Sequence, residues 1–190
     1  MKLRKLILCL LALLGSIMVH AYDFDQNGVY YNITDATAKT VEVTFVEDGE
    51  GNADFYYGTV TVPNRVAKDG VTYTVTAIGV YAFNNCANLT SVNIGDNVTD
   101  IGYGAFEGCS SLTSITLPSG LTSIGSTAFR SCSSLTSITL PSGITTIGDW
   151  AFHGCSSLTS ITLPSGITTI GEYNQEIKGK TNVEIIPVSA

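Results

Sequence analysis

The sequence predicts a β-rich solenoid: 23-residue leucine-containing coils of strand, turn and short helical turn, with an N-terminal β-rich cap and a C-terminal capping strand. Four ladders predict it. Leu89, Leu112, Leu135 and Leu158 recur at a constant step of one coil, as do Ile101, Ile124, Ile147 and Ile170, each followed by glycine. The same step links Ala82-Phe83, Ala105-Phe106, Ala128-Phe129 and Ala151-Phe152. It also links Cys86, Cys109, Cys132 and Cys155. A fixed period of this length marks units that bury their apolar faces only by stacking on neighbours.

Residues 1–21 read as a secretory signal. Lys2, Arg4 and Lys5 precede an apolar run over residues 6–14, and Val19-His20-Ala21 offers a small-residue exit. The run is too short for a membrane span. From Tyr22 onward six Lys and Arg face sixteen Asp and Glu, a net charge of −10. Nucleic acid is a poor partner for such a chain, because phosphate binding draws on a basic patch.

Residues 22–65 form the expected N-terminal cap. Runs of β-branched and aromatic residues at 29–33, 40–46 and 59–62 are separated by Gly, Asn and Asp turns. Asn27-Gly28 and Asp69-Gly70 mark hairpins. A terminal coil needs a cover with a polar outer side, which is the role this segment suggests.

Residues 66–171 are the repeats. Leu112, Ile115 and Leu117 have the spacing of a strand with one side on a core. Pro118 ends that strand, having no N–H to donate, and Ser119-Gly120 turns the chain. Leu121 and Ile124 begin a second extended stretch, Gly125 breaks it, and Ala128-Phe129-x-x-Cys132 suits one helical turn pressing inward. In residues 172–190 the motif decays, with Asn174, Gln175 and Lys178 in the Ala, Phe and Cys columns. Pro187 still lies one full period after Pro164, so residues 181–187 keep the register of a polar capping strand.

The unit L-x-x-I-x-L-P…I-G-x-x-A-F-x-x-C resembles the BspA-like leucine-rich repeats of surface and secreted proteins from Bacteroidetes and some protists, over roughly residues 66–187. The resemblance implies a non-catalytic binding module, an adhesin or surface antigen contacting a host or cell-surface protein or glycan. Together with the leader it places the chain in the medium or on the cell surface, with the periplasm an open alternative. A passive structural part of an envelope or extracellular assembly, held by self-association, is the second reading.

Residues suited to chemistry are few. The cysteine ladder reads as buried free thiols, because parallel neighbours point the same way and a disulfide needs converging Cβ vectors. One ladder with only His153 nearby supplies no zinc tetrahedron. Asp23-x-Asp25-x-Asn27-Gly28 imitates the start of a calcium loop, but Thr34 stands where a bidentate Glu is needed. Neither a metal nor a cofactor is expected. His153, the one histidine after residue 21, lacks an arranged nucleophile and orienting group, so catalysis is not expected.

Columns that vary between coils carry the candidate binding residues, because stacking does not dictate them. Tyr81, Tyr103 and Trp150 precede the Ala-Phe pair and are the aromatic anchors. Asn84, Glu107, Arg130 and His153 share the column just after Phe, and Glu107 and Arg130 are placed to pair. The Ser/Thr face of about five strands measures only ~200 Å², against ~800 Å² per partner in a standard interface. A protein ligand must therefore also touch the coil edges, the cap or a second copy.

Overall fold

The N-terminal strands form because turn residues and apolar alternation agree. In the computed structural model, which describes residues 22–45, 56–174 and 177, β1 (Phe24–Gln26) and β2 (Val29–Asp35) make an antiparallel hairpin. Asn27 and Gly28 at its tip have φ of 54° and 78°, as a type I′ turn demands. The expected signal at 1–21 and the strand expected at 181–187 lie outside the described residues.

Strand β3 (Thr40–Thr44) pairs antiparallel with β2, and β4 (Gly58–Val62) follows. A second hairpin joins β5 (Arg65–Lys68) to β6 (Val71–Ile78) through Asp69 and Gly70, again with positive φ at both. β3 then runs parallel to β6. The N-terminal segment thus lies in line with the coils. Val43 carbonyl accepts the Gly79 N–H as Ile78 accepts that of Gly102.

The repeats add a strand to each of two faces per coil. The main face receives β7 (Leu89–Ile94) beside β4. The second face receives β8 (Asp100–Ile101) beside β6. Alternation continues with β9 (Ser114–Thr116), β10 (Ser123–Ile124), β11 (Ser137–Thr139), β12 (Thr146–Ile147), β13 (Ser160–Thr162) and β14 (Thr169–Ile170). Successive strands pair parallel with partners one period apart, for example Ile124 with Ile147. The second-face sheet runs unbroken from β1 to β14, whereas the main face divides into β4-β7-β9 and β11-β13.

The third side of each coil differs from the expected helical turn. Ala128 N–H donates to Gly125 oxygen, Arg130 to Thr127, Cys132 to Phe129 and Leu135 to Cys132. These are successive three-residue turns, and the left-handed φ of Thr127 (56°) and Ser131 (61°) explains why no helix propagates. The glycine after each ladder isoleucine has a steric cause. A Cβ on Gly125 would lie 2.7 Å from the carbonyl carbon of Gly102 in the coil before.

The core is one continuous column. Phe83, Phe106, Phe129 and Phe152 are fully buried and stack with centroids 4.9, 5.2 and 5.3 Å apart, planes within 8°. Tyr56 extends the column, 4.5 Å from Phe83, and its hydroxyl donates to Thr44 oxygen. The four cysteines of the ladder are buried and form no disulfide with one another. Cys109, Cys132 and Cys155 donate their S–H to the carbonyl oxygens of Phe83, Phe106 and Phe129 at 3.0–3.1 Å. Each of these three thiols thus makes a coil-to-coil hydrogen bond, whereas that of Cys86 donates to Asn84 oxygen in its own coil.

Asn174, fully buried, holds the Ala column in the last described coil. Its Oδ1 accepts the Phe152 N–H, and its Nδ2 donates to the oxygens of Gly148 and Gly171. Asn174→Ala, although it restores the residue of the earlier coils, should lower the unfolding free energy by about 2–3 kcal/mol, because buried groups lose their partners. Urea denaturation checks it.

Burial raises the Cys132 thiol well above its usual range, with the neighbouring thiols adding to the effect. Burial likewise raises the hydroxyls of Tyr31 and Tyr56. The unfolded chain therefore ionises first, so stability is full below the unfolded values and falls as pH climbs past them. The unfolding free energy from urea titration should hold to about pH 8.5 and then drop, up to ~1.4 kcal/mol per pH unit for each group. Cys132→Ala should flatten the first part of that fall.

Candidate interaction surface

One edge of the solenoid gathers the variable columns. The residue two places after each ladder glycine is left-handed in every described coil: Tyr81 (φ 56°), Gly104 (59°), Thr127 (56°), Trp150 (58°) and Tyr173 (60°). Backbone need explains the geometry. The Tyr81 N–H donates to Tyr103 oxygen, Gly104 to Ser126, Thr127 to Asp149 and Trp150 to Glu172, each across to the following coil. Stacking is thus served by the backbone, and glycine suffices there, as Gly104 shows. Large side chains in left-handed backbone cost ~1–2 kcal/mol each.

The next variable column behaves alike. Carbonyls of Glu107, Arg130 and His153 accept the N–H of Asn85, Gly108 and Ser131 from the preceding coil, which leaves their side chains to project outward. Arg130 Nη1 lies 2.9 Å from Glu107 Oε1. Both are partly in solvent, so the pair contributes at most ~1 kcal/mol.

These columns merge into a ridge. Tyr81 and Tyr103 meet edge to face at 5.3 Å. Partial desolvation raises the Tyr81 phenol, helped by the Tyr103 hydroxyl and the Glu107 charge. Trp150 is flanked from both neighbouring coils, by Tyr173 stacked at 4.2 Å and by the Arg130 guanidinium 5.9 Å from the ring centre. His153 closes its edge at 4.7 Å. All six residues singled out in the sequence therefore lie along one side, over three coil steps or about 14 Å.

Two members of the ridge escape the sequence reading. Tyr173, half exposed, lies one period after Trp150, so the step itself reaches it, although the motif around it has decayed. Thr127 is buried, and its hydroxyl has no hydrogen-bond partner among the described residues. Elsewhere, Asp23 accepts the Ile33 N–H, and no group of three metal-ligating side chains forms among the described residues. No described helix is long and apolar enough to cross a membrane.

The family model described as BspA type leucine rich repeat region matches residues 71–185 in six copies. The chain belongs to the BspA-type leucine-rich repeat family. The leucine-rich repeat protein of T. pallidum is 30% identical with a TM-score of 0.66, covering 78% of this chain and 64% of its own. A leucine rich cell surface protein of Faecalibacterium prausnitzii is 27% identical with a TM-score of 0.52, covering 83% and 51%. The pneumococcal vaccine antigen PcpA shares the fold at 20% identity and a TM-score of 0.59, covering 82% of this chain and 47% of its own. The chain thus spans less than two thirds of these relatives. No curated protein matches it.

In this BspA-type chain Thr127→Gly should raise the unfolding free energy by about 1 kcal/mol. It relieves left-handed backbone (~1–2 kcal/mol) and an unpaired buried hydroxyl (~1–3 kcal/mol), against ~0.5–1 kcal/mol of glycine chain entropy and the lost packing of a methyl. Thermal and urea unfolding measure it.

Proposed function

We propose that this chain is a secreted or cell-surface, non-enzymatic adhesion module whose edge ridge contacts a protein on a host or neighbouring cell. The observation that carries the reading is the left-handed column, where Tyr81, Trp150 and Tyr173 stand at positions in which Gly104 satisfies the stack. Strained backbone holding large side chains belongs with recognition rather than packing. The ridge widens the narrow strand face toward the area a protein partner needs.

Trp150 favours protein over glycan at this place. Tyr173 and Arg130 lie against it from both neighbouring coils, which leaves little ring face for a sugar. The leader at 1–21 and the cell-surface relative from Faecalibacterium support the address. Function as a passive envelope part predicts self-association instead.

Purified protein on arrays of matrix and cell-surface proteins should bind at least one saturably. Replacing Tyr81, Tyr103 and Trp150 together by alanine should weaken that binding at least ~30-fold, the scale of an interface hot spot. Unchanged affinity in the triple variant, or self-association with no binding, contradicts the reading.

A further inference from the structure

A second candidate site lies at the N-terminal end of the main sheet and does not rest on the ridge. A cleft of about 650 Å³ opens between the β1–β2 turn and strand β4. That volume falls in the range of small-ligand sites. Gln26, Asn27 and Tyr30 line one side, and Tyr57, Thr59 and Thr61 the other. No Asp, Glu, Lys or Arg is among the described residues that line it.

The walls are preformed. Tyr56 at the base donates its hydroxyl to Thr44 oxygen at 2.9 Å and accepts the Tyr30 N–H at 3.1 Å. Gln26 Oε1 takes the Ala67 N–H at 2.9 Å, tying β1 to β5, and Asn27-Gly28 sit in the fixed hairpin turn. The Tyr30 ring rests 4.6 Å from that of Tyr22. Against this fixed wall Tyr57 stands 76% exposed, with its ring largely in solvent. A ligand entering pays little to order the site.

We infer that this cleft binds a neutral oligosaccharide. Side-chain amides and hydroxyls match sugar hydroxyls, and an exposed tyrosine offers its face to the C–H side of a pyranose. Among the described lining residues an anion meets no cation, and in an acidic chain it is repelled. A cationic ligand meets no carboxylate among them, and a purely apolar one would strand the polar groups. An extended peptide pairing with the β4 edge would leave the amides and Tyr30 across the cleft unused.

Isothermal titration of the whole protein tests this with maltohexaose, cellohexaose and mannohexaose, and with hexagalacturonate and an uncharged Thr/Val pentapeptide as comparators. At least one neutral hexasaccharide should bind with a Kd below about 1 mM, and the comparators should not. Tyr57→Ala and Thr61→Arg should each weaken binding about tenfold or more, while Tyr81→Ala and Trp150→Ala leave it unchanged. Both cleft side chains are exposed, so the unfolding midpoint should stay put and separates lost binding from lost fold. The inference is overturned if none of the three neutral sugars binds below about 10 mM, if the cleft variants bind as well as the parent, or if hexagalacturonate or the peptide binds instead.

Discussion

Everything in this molecule depends on the hydrogen bonding of each coil to the next at a 23-residue step. Strands supply only part of it. On the third side Phe106 N–H reaches Ala128 oxygen, Gly108 reaches Arg130, and the Cys132 thiol reaches back to Phe106. Threonine hydroxyls do the same on the second face, where Thr122, Thr145 and Thr168 each donate to the threonine carbonyl one coil earlier. No coil is complete alone, and removing one inward residue disturbs two interfaces. The strict identity of the Phe, Cys and Ile-Gly columns follows, because a parallel stack admits one shape repeated.

A stack held this way has a problem at each end, and the two ends solve it differently. At the start the spacing between strands changes, yet Tyr56 takes the aromatic slot and β3 and β4 take strand slots on the two faces. The β1–β2 hairpin then ends the second-face sheet in antiparallel pairing. Toward the other end, Asn174 uses a side-chain amide where earlier coils use backbone. Its oxygen replaces the alanine carbonyl that Phe129 finds in Ala151. One asparagine side chain thereby makes a bond that the backbone makes in earlier coils.

The repeat, the faces and the buried thiols were legible in the sequence because each rests on an identical residue recurring at one step. The hairpins at Asn27-Gly28 and Asp69-Gly70 were legible because a type I′ turn restricts its residues so tightly. The Ala-Phe-x-x-Cys stretch misled toward a helical turn. Its inward spacing suits both geometries, and what decides between them is left-handed backbone at Thr127 and Ser131, for which the signal lay in the same columns of other coils, at Gly104, Asn85, Gly108 and Gly154. Tyr56 was hidden because its coil has other segment lengths, and Asn174 because an amide in place of alanine looks like decay of the motif. The six ridge residues could be named because variation marks positions that stacking leaves free. Of their contacts the Glu107–Arg130 pair could be named from its shared column, whereas that of Arg130, Trp150 and Tyr173 could not, since these meet only across three coils.

That dependence across coils shapes what the ridge can be. Glu107, Arg130, Trp150 and Tyr173 form a chain in which each contact joins neighbouring coils. No single coil presents it, so the surface exists only when the stack does. The backbone at those positions is bonded to the next coil whatever side chain it carries, so a new side chain alters the outer surface at the ~1–2 kcal/mol that left-handed backbone costs. The same division of labour explains why outward residues differ from coil to coil while the phenylalanines beneath them remain parallel within 8°.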